Sequence, residues 1–330
     1  ALYDLFEIQE PDETVGQPLG QRTERDPDEN GLSPAPILER LLDAAAARGM
    51  LETNTATYRD LLDARIMGLV VPRASEVKHR FWELVANAGI EQATDWFYQF
   101  SQQTNYIRMD RIAHNEYWTV ATPFGKMEMT INLSKPEKDP QEIAALKEVP
   151  KSSYPKCALC LDNIGYTGRI DHPARQNHRV IPLELNGENW YLQYSPYVYY
   201  NEHCIIFSEI HHPMRIDRDT IERLLAFVER FPHYFAGSNA DLPIVGGSIL
   251  SHDHYQGGRH RFAMEKAATE QRFTHPDFPQ IRIARVKWPL SVLRLSSANK
   301  RQLAALANHM LHVWRSYSDP DVEVVHETVA

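Results

Sequence analysis

The segment HDHYQ, at residues 252–256, constrains this chain more than any other part of the sequence. Successive side chains of a β-strand alternate between its two faces, so a strand here places both histidines and the glutamine on one face. The aspartate and the tyrosine then point the other way. Glycines flank the segment at 246–247 and 257–258, where backbone can approach a phosphate closely. The pattern therefore predicts a rigid strand that presents two imidazoles and an amide to a phosphate-sized ligand.

The side-chain chemistry of this segment favours nucleophilic catalysis at His254. A neutral imidazole keeps a lone pair at pH 7, so a histidine on a rigid strand is a competent nucleophile. The amide of Gln256 can donate a hydrogen bond to a phosphoryl oxygen without carrying charge. Two histidines in a strand can also be ordinary polar residues, or a metal-ligand pair without catalysis, and these five residues alone do not separate the alternatives.

Length and composition indicate a globular protein with two domains, or with one large domain and an extension. The 330 residues are 43% hydrophobic and 24% charged, and the formal net charge is -9. This acidic balance argues against nucleic acid or a membrane surface as a partner, although it allows a local basic pocket for one nucleotide. The three cysteines, two of them in one C-x-x-C, favour a reducing cytoplasmic setting over a disulfide framework.

The hydrophobic periodicity of the chain changes from helical to strand-like near Tyr106. Residues 1–35 are polar and predict a surface arm, and four helical patterns follow between Ile37 and Gln103. Later segments predict seven further strands and two helices, namely strands at 117–120, 127–133, 179–183, 190–194, 204–208, 281–286 and 291–295 and helices at 219–231 and 299–317. This order predicts an α+β fold with a largely antiparallel sheet, a helical N-terminal module at 1–115 and a catalytic region at 116–330.

The C-x-x-C formed by Cys157 and Cys160 is a second candidate site. It can hold zinc, act as a redox pair, or consist of two small buried thiols. The redox interpretation needs a βαβ pattern, which is not visible around it. Zinc needs two more ligands, and the best donors are His211 and His252, which together would form a closed structural Cys2His2 site. Without the tight spacing of a zinc finger, buried thiols remain the alternative.

Four further segments carry a specific resemblance to known proteins. They are residues 154–160 (YPKCALC), 193–197 (QYSPY), 204–211 (CIIFSEIH) and 237–248 (GSNADLPIVGGS), and the last leads into HDHYQGG. With them the chain resembles the histidine-triad superfamily in its transferase form, and within it the hexose-1-phosphate uridylyltransferases of the Leloir pathway. It is most similar to the galactose-1-phosphate uridylyltransferase family in its class II bacterial form. The resemblance covers most of the chain and implies a histidine-triad-like sheet within the catalytic region.

The resemblance implies a ping-pong reaction. His254 matches the nucleophile that takes the uridylyl group from UDP-glucose and passes it to galactose 1-phosphate, and Gln256 matches the glutamine that hydrogen-bonds the phosphoryl oxygens of the intermediate. Cys157, Cys160, His211 and His252 match the zinc ligands. Alternatives that stay open are another nucleotidyltransferase or phosphorylase of the superfamily, and a zinc-stabilised nucleotide-binding module without catalysis. Glutamine in place of a third histidine argues against a hydrolase.

Four other residues are candidates for substrate binding, namely Lys135, Lys138, Asn239 and Ser248. The lysines could contact the substrate phosphates, although solvated surface lysines fit the same pattern. Asn239 lies near a family asparagine that contacts the nucleotide, and backbone amides near Ser248 could stabilise developing charge. The resemblance also implies a cytoplasmic protein of carbohydrate metabolism that uses zinc as cofactor. Its expected ligands are UDP-glucose and galactose 1-phosphate, and a homodimer is possible as its oligomeric state.

The chain departs from the family in two respects. The class I core reads His-Pro-His-Gly-Gln, whereas Asp253 and Tyr255 occupy the intervening positions here and are expected to point away from the substrate. The family also has a second, degenerate triad unit, whose middle part matches residues 288–290 and the helix predicted from Asn299. The second unit is therefore expected to be incomplete at Ala330, the last residue of the sequence.

Overall fold

The computed structural model describes residues 33–134, 152–241 and 249–326. Helices dominate as far as residue 112 and antiparallel strands follow, so the predicted α+β class is confirmed. Most of the predicted N-terminal arm, together with Lys135, Lys138 and Ser248, lies outside the described residues. The chain divides into two compact units. The first consists of Ala1–Asn115, Asn132–Ile181 and Gln193–Val198. The second consists of Glu116–Ile131, Pro182–Leu192 and Tyr199–Ala330.

The described residues of the first unit form five α-helices. They are α1 (Ala35–Ala47), α2 (Ala56–Val70), α3 (Ala74–Ala88), α4 (Ile90–Gln103) and the short α5 (Met109–Ile112). In α1 the buried residues Leu38, Leu42 and Ala45 recur at helical spacing and pack in one cluster with Leu62 and Ile66 of α2. The four helices predicted before Tyr106 are confirmed. The single turn of α5 was not predicted, because four residues are too few for a periodic pattern.

A buried carboxylate, Asp63, lies on α2 and is 1% exposed. Asn105 donates to its Oδ2 at 2.8 Å, and the guanidinium of Arg108 lies 3.4 Å from the same atom. Within the described residues its other oxygen, Oδ1, has no hydrogen-bond partner. Burial raises the pKa of Asp63 to about 6, because the loss of hydration outweighs the attraction of Arg108.

The substitution Asp63→Asn is expected to remove part of the pH dependence of stability. Because the folded-state pKa lies above the unfolded value, this group stabilises the fold below about pH 4, and that contribution is lost as pH rises through about 6. A difference of two pKa units corresponds to roughly 3 kcal/mol. Urea unfolding at several pH values measures it. The control is Asp43→Asn, an exposed ion-pair partner of Arg59, and equal pH slopes for wild type and Asp63→Asn would contradict the expectation.

The described part of the second unit, with Ile181, Gln193 and Tyr194 from the first, forms antiparallel strands. Strands β1 (Glu116–Thr122) and β2 (Gly125–Ile131) form a hairpin. A five-stranded sheet has the order β3 (Ile181–Leu185), β4 (Glu188–Tyr194), β5 (Cys204–Ser208), β7 (His254–Gly258) and β6 (Phe235–Gly237). A three-stranded sheet has the order β10 (Leu293–Ser296), β9 (Arg282–Val286) and β8 (Thr269–Phe273). The predicted strands are confirmed to within a few residues. The sequence did not predict β6 and β8, since β6 has three residues and β8 is exposed along its whole length.

Among the described residues, three α-helices accompany these strands, namely α6 (Arg218–Arg230), α7 (Ala263–Lys266) and α8 (Lys300–Arg315). Asp217 caps α6 by accepting a hydrogen bond from the backbone N–H of Thr220 at 3.1 Å. The helix ends just before Pro232, as the sequence predicted. In the part of the chain that the structure describes, no helix combines the length and the apolar character needed to cross a bilayer.

Candidate active site and metal centre

Strand β7 positions the two predicted catalytic residues at the interior of the five-stranded sheet. It lies between β5 and β6, and its register pairs His254 with Phe207 and Gln256 with Ile205 and Gly237. Both neighbours are antiparallel, so the strand is held by hydrogen bonds along both edges. The strand begins at His254, two residues later than the sequence indicated, and His252 therefore precedes it. Alternation along the strand gives His254 and Gln256 a common face.

Asp253 and Tyr255 are both directed toward Arg223 of α6. The Tyr255 ring stacks on Trp190, with centroids 4.8 Å apart, and its hydroxyl accepts a hydrogen bond from Arg223 at 3.2 Å. Arg223 also lies 3.8 Å from the Asp253 carboxylate and pairs with Glu188 at 2.8 Å. The two residues that depart from the class I pattern therefore contact Arg223 of α6, and Tyr255 also contacts Trp190.

The surroundings of His254 fix its tautomer. Its Nδ1 lies 2.8 Å from the backbone oxygen of His252, and a carbonyl can only accept, so Nδ1 carries the hydrogen. The lone pair is then on Nε2. The side chain is 3% exposed, and burial lowers its pKa by disfavouring the imidazolium. At pH 7 the ring is therefore neutral, with its nucleophilic nitrogen defined by the hydrogen bond on the opposite side.

The amide of Gln256 has a partner on each side, one just before β5 and one just after β6. The Nε2 of His203, the residue before β5, lies 3.1 Å from the Gln256 side-chain oxygen. On the other side Gln256 donates from its own Nε2 to the Asn239 side-chain oxygen at 3.3 Å. The structure thus brings Asn239 to the predicted catalytic pair. His203 was missed, because it belongs to no motif and only the pairing of β5 with β7 brings it close.

Cys157, Cys160, His211 and His252 form a cluster that could hold a metal ion. Their ligand atoms all lie within 4.8 Å of one another, and the two sulfur atoms are 3.6 Å apart. Two thiols with two imidazoles are a donor set that suits a tetrahedral ion with nitrogen and sulfur ligands. The four residues predicted from the sequence are therefore the ones that the structure brings together, and the donor set fits a metal.

Hydrogen bonds around the cluster support this arrangement. The Asn163 amide donates to the backbone oxygens of Cys157 and Cys160, each at 2.8 Å, and so fixes the turn that carries both thiols. The Nε2 of His252 lies 2.8 Å from the Ser208 backbone oxygen. A metal-bound histidine characteristically donates its second ring N–H to a carbonyl in this way. No sequence signal singled out Asn163, because an asparagine in a turn is common.

The chain matches two family descriptions. The one described as galactose-1-phosphate uridyl transferase, N-terminal domain, covers residues 13–213, and the one for the C-terminal domain covers residues 227–325. No solved structure gives a significant match.

Several curated relatives are named galactose-1-phosphate uridylyltransferase. One from Caldanaerobacter subterraneus subsp. tengcongensis is 54% identical over 98% of this chain and 60% of its own length. One from Bacillus subtilis is 54% identical over 86% of this chain and 55% of its own length. One from Butyrivibrio fibrisolvens is 51% identical over 88% of this chain and 75% of its own length. The chain spans less than two thirds of the length of the first two. The matched regions include the cysteine pair and the strand that carries His254, and the chain belongs to the galactose-1-phosphate uridylyltransferase family.

Proposed function

We propose that this chain carries the nucleotidyl-transfer site of a galactose-1-phosphate uridylyltransferase, which moves a uridylyl group between UDP-glucose and galactose 1-phosphate. The observation that carries the proposal is the hydrogen bond from His254 Nδ1 to the His252 carbonyl, which leaves the lone pair on Nε2, with Gln256 on the same face of β7. The names of the relatives support galactose 1-phosphate and a uridylyl group as the reactants.

The first half-reaction follows from this geometry. The Nε2 lone pair of His254 attacks the α-phosphorus of UDP-glucose, the new N–P bond forms, and the P–O bond breaks with its electrons leaving on glucose 1-phosphate. The ring becomes cationic, which strengthens the hydrogen bond from Nδ1 to the His252 carbonyl. An N–H of Gln256 donates to a phosphoryl oxygen and stabilises the charge that develops there.

The second half-reaction reverses the first with another sugar. A phosphate oxygen of galactose 1-phosphate attacks the same phosphorus, the N–P bond breaks, and His254 returns to its neutral form as UDP-galactose leaves. The leaving group of the first step is a sugar phosphate, and that of the second step is the imidazole of His254, which takes the electrons of the N–P bond and becomes neutral. Neither step therefore needs a proton from the protein. An uncharged amide at residue 256 suits this chemistry, whereas a hydrolase would require a histidine that acts as a general acid.

The metal of the cluster is proposed to be zinc in a structural role. Two cysteines and two histidines supply all four ligands of a closed tetrahedral site, and when bound the ion cross-links the chain segments that carry them. Substrate contacts by Lys135, Lys138, Asn239 and Ser248 stay predictions, as does a homodimer. A cytoplasmic setting is also part of the proposal, and it agrees with the fact that none of the three cysteines, all within the described residues, is in a disulfide.

The test is the intact mass of the protein after incubation with UDP-glucose and no acceptor. The expected result is one uridylyl group per chain, discharged by galactose 1-phosphate with formation of UDP-galactose. Parallel incubations with ADP-glucose and GDP-glucose probe the other nucleotide donors. An adduct from one of these alone would favour another transferase of the superfamily, and no adduct from any donor on a folded, metal-loaded chain would favour a binding module.

A further inference from the structure

We infer that His203 is a positioning residue that orients the Gln256 amide, so that an N–H rather than the carbonyl faces the phosphoryl group. The inference rests on the proposed function, since it concerns the group that stabilises the transferred uridylyl. It assigns a role to a buried histidine outside the metal cluster and outside the HDHYQ segment.

The position of His203 is fixed by its surroundings. Its side chain is 3% exposed, and the rings of Tyr199 and Tyr200 lie 5.4 and 4.6 Å from its ring. It directly precedes β5, whose residue Ile205 pairs with Gln256 across the sheet. The ring is therefore packed beside the amide, with Nε2 3.1 Å from the Gln256 oxygen.

The two contacts of Gln256 select one orientation of its amide. A glutamine amide can rotate by half a turn and exchange its oxygen and nitrogen. The Nε2 of His203 lies 3.1 Å from the Gln256 oxygen, and the inference assigns the ring hydrogen to this nitrogen, so that His203 donates. With the Asn239 oxygen accepting on the other side, only one of the two orientations then satisfies both partners. In the reverse orientation the amide oxygen would meet the Asn239 oxygen and would repel a phosphoryl oxygen.

The selected orientation leaves the amide ready for the reaction. The Gln256 nitrogen carries two hydrogens, and one of them is directed to Asn239 at 3.3 Å. The second can donate to a phosphoryl oxygen without any rotation of the side chain. A donor that is fixed in advance stabilises developing charge without reorganisation during the reaction, which is the usual source of electrostatic catalysis.

The experiment compares His203→Phe, which keeps a ring and removes the donor, with His203→Gln, which keeps an N–H donor. The readout is the rate constant of adduct formation from UDP-glucose, measured by intact mass. His203→Phe is expected to slow it by roughly 10-fold to 100-fold, the scale of one lost partner at a buried polar group. His203→Gln is expected to recover most of the loss.

A double-mutant cycle with Gln256→Ala separates positioning from a general structural role. If His203 acts through Gln256, then His203→Phe has no further effect once Gln256 is alanine. An equal slowing in both backgrounds, or a wild-type rate for His203→Phe, would overturn the inference. The matched control His309→Phe replaces an exposed histidine of α8 and is expected to leave the rate unchanged.

The thermal midpoint of each variant reports whether it folds, and His203→Leu provides a second donor-free variant if the phenylalanine is not accommodated. Failure of the proposed function has a different signature, because wild type itself would then form no adduct. A normal wild-type adduct with an unaffected His203→Phe rate would remove the inference and leave the proposed function intact.

Discussion

Replacing His254 by alanine is expected to abolish the uridylyl adduct and to lower turnover by about 10,000-fold or more, the scale at which loss of a covalent nucleophile is felt. The two neighbouring side chains do not replace it, because the Gln256 amide is not nucleophilic and the Nε2 of His203 is engaged with the Gln256 oxygen at 3.1 Å. The measurements are the intact mass with UDP-glucose and the rate of UDP-galactose formation. His309→Ala is the control.

The alternative outcomes of this experiment are informative. An adduct that persists in His254→Ala at the wild-type level would place the nucleophile elsewhere. The alanine variant is also expected to keep its metal, since His254 is not one of the four cluster residues. Its metal content therefore distinguishes a loss of chemistry from a loss of the fold. Gln256→Ala should differ by retaining a slow adduct, because it removes a hydrogen-bond donor and leaves the nucleophile in place.

The sequence predicted the chemistry of the site better than its boundaries. The faces of residues 253–256 follow from the alternation of side chains along a strand. Packing fixes which residues take each face, as the contact of Tyr255 with Trp190 does here. The first residue of β7 could not be predicted, because it depends on where the partner β5 ends. Asn239 was expected near the nucleotide, and the pairing of Gly237 with Gln256 explains how it comes to contact the Gln256 amide.

Other parts of the site carry no sequence signal at all. His203 and Asn163 act through contacts with residues that are distant in the chain or hidden in a turn, and a single histidine or asparagine has no period to detect. The C-x-x-C was visible because two ligands of one metal lie three residues apart. Its partners were harder to assign, since His211 and His212 are adjacent and the choice between them depends on the geometry after β5.

Removing the metal is expected to destabilise the fold by several kcal/mol. Cys160→Ser takes away one ligand, and for a fold of this size a loss of roughly 4 kcal/mol lowers the thermal midpoint by about 10 °C. The measurements are elemental analysis of bound zinc and a thermal scan, before and after treatment with a chelator. We expect about one zinc per chain for wild type, because four ligands complete a single tetrahedral site. Cys160→Ser is expected to bind much less.

The matched control is Cys204→Ser, which alters a buried free thiol on β5 outside the cluster. It should retain the metal, whatever it costs in packing. Full zinc occupancy in Cys160→Ser, or a midpoint that does not respond to the chelator, would return the cysteine pair to the status of two buried thiols.

His252 connects this experiment to the chemistry. Its ring belongs to the metal cluster, and its backbone oxygen accepts the hydrogen bond that fixes the tautomer of His254. Loss of the metal releases the ring, so the carbonyl two residues before the nucleophile is no longer held in one direction. The rate of adduct formation should therefore fall in Cys160→Ser at temperatures where the chain is still folded. A folded, metal-free chain with the wild-type rate would limit the metal to a purely structural role.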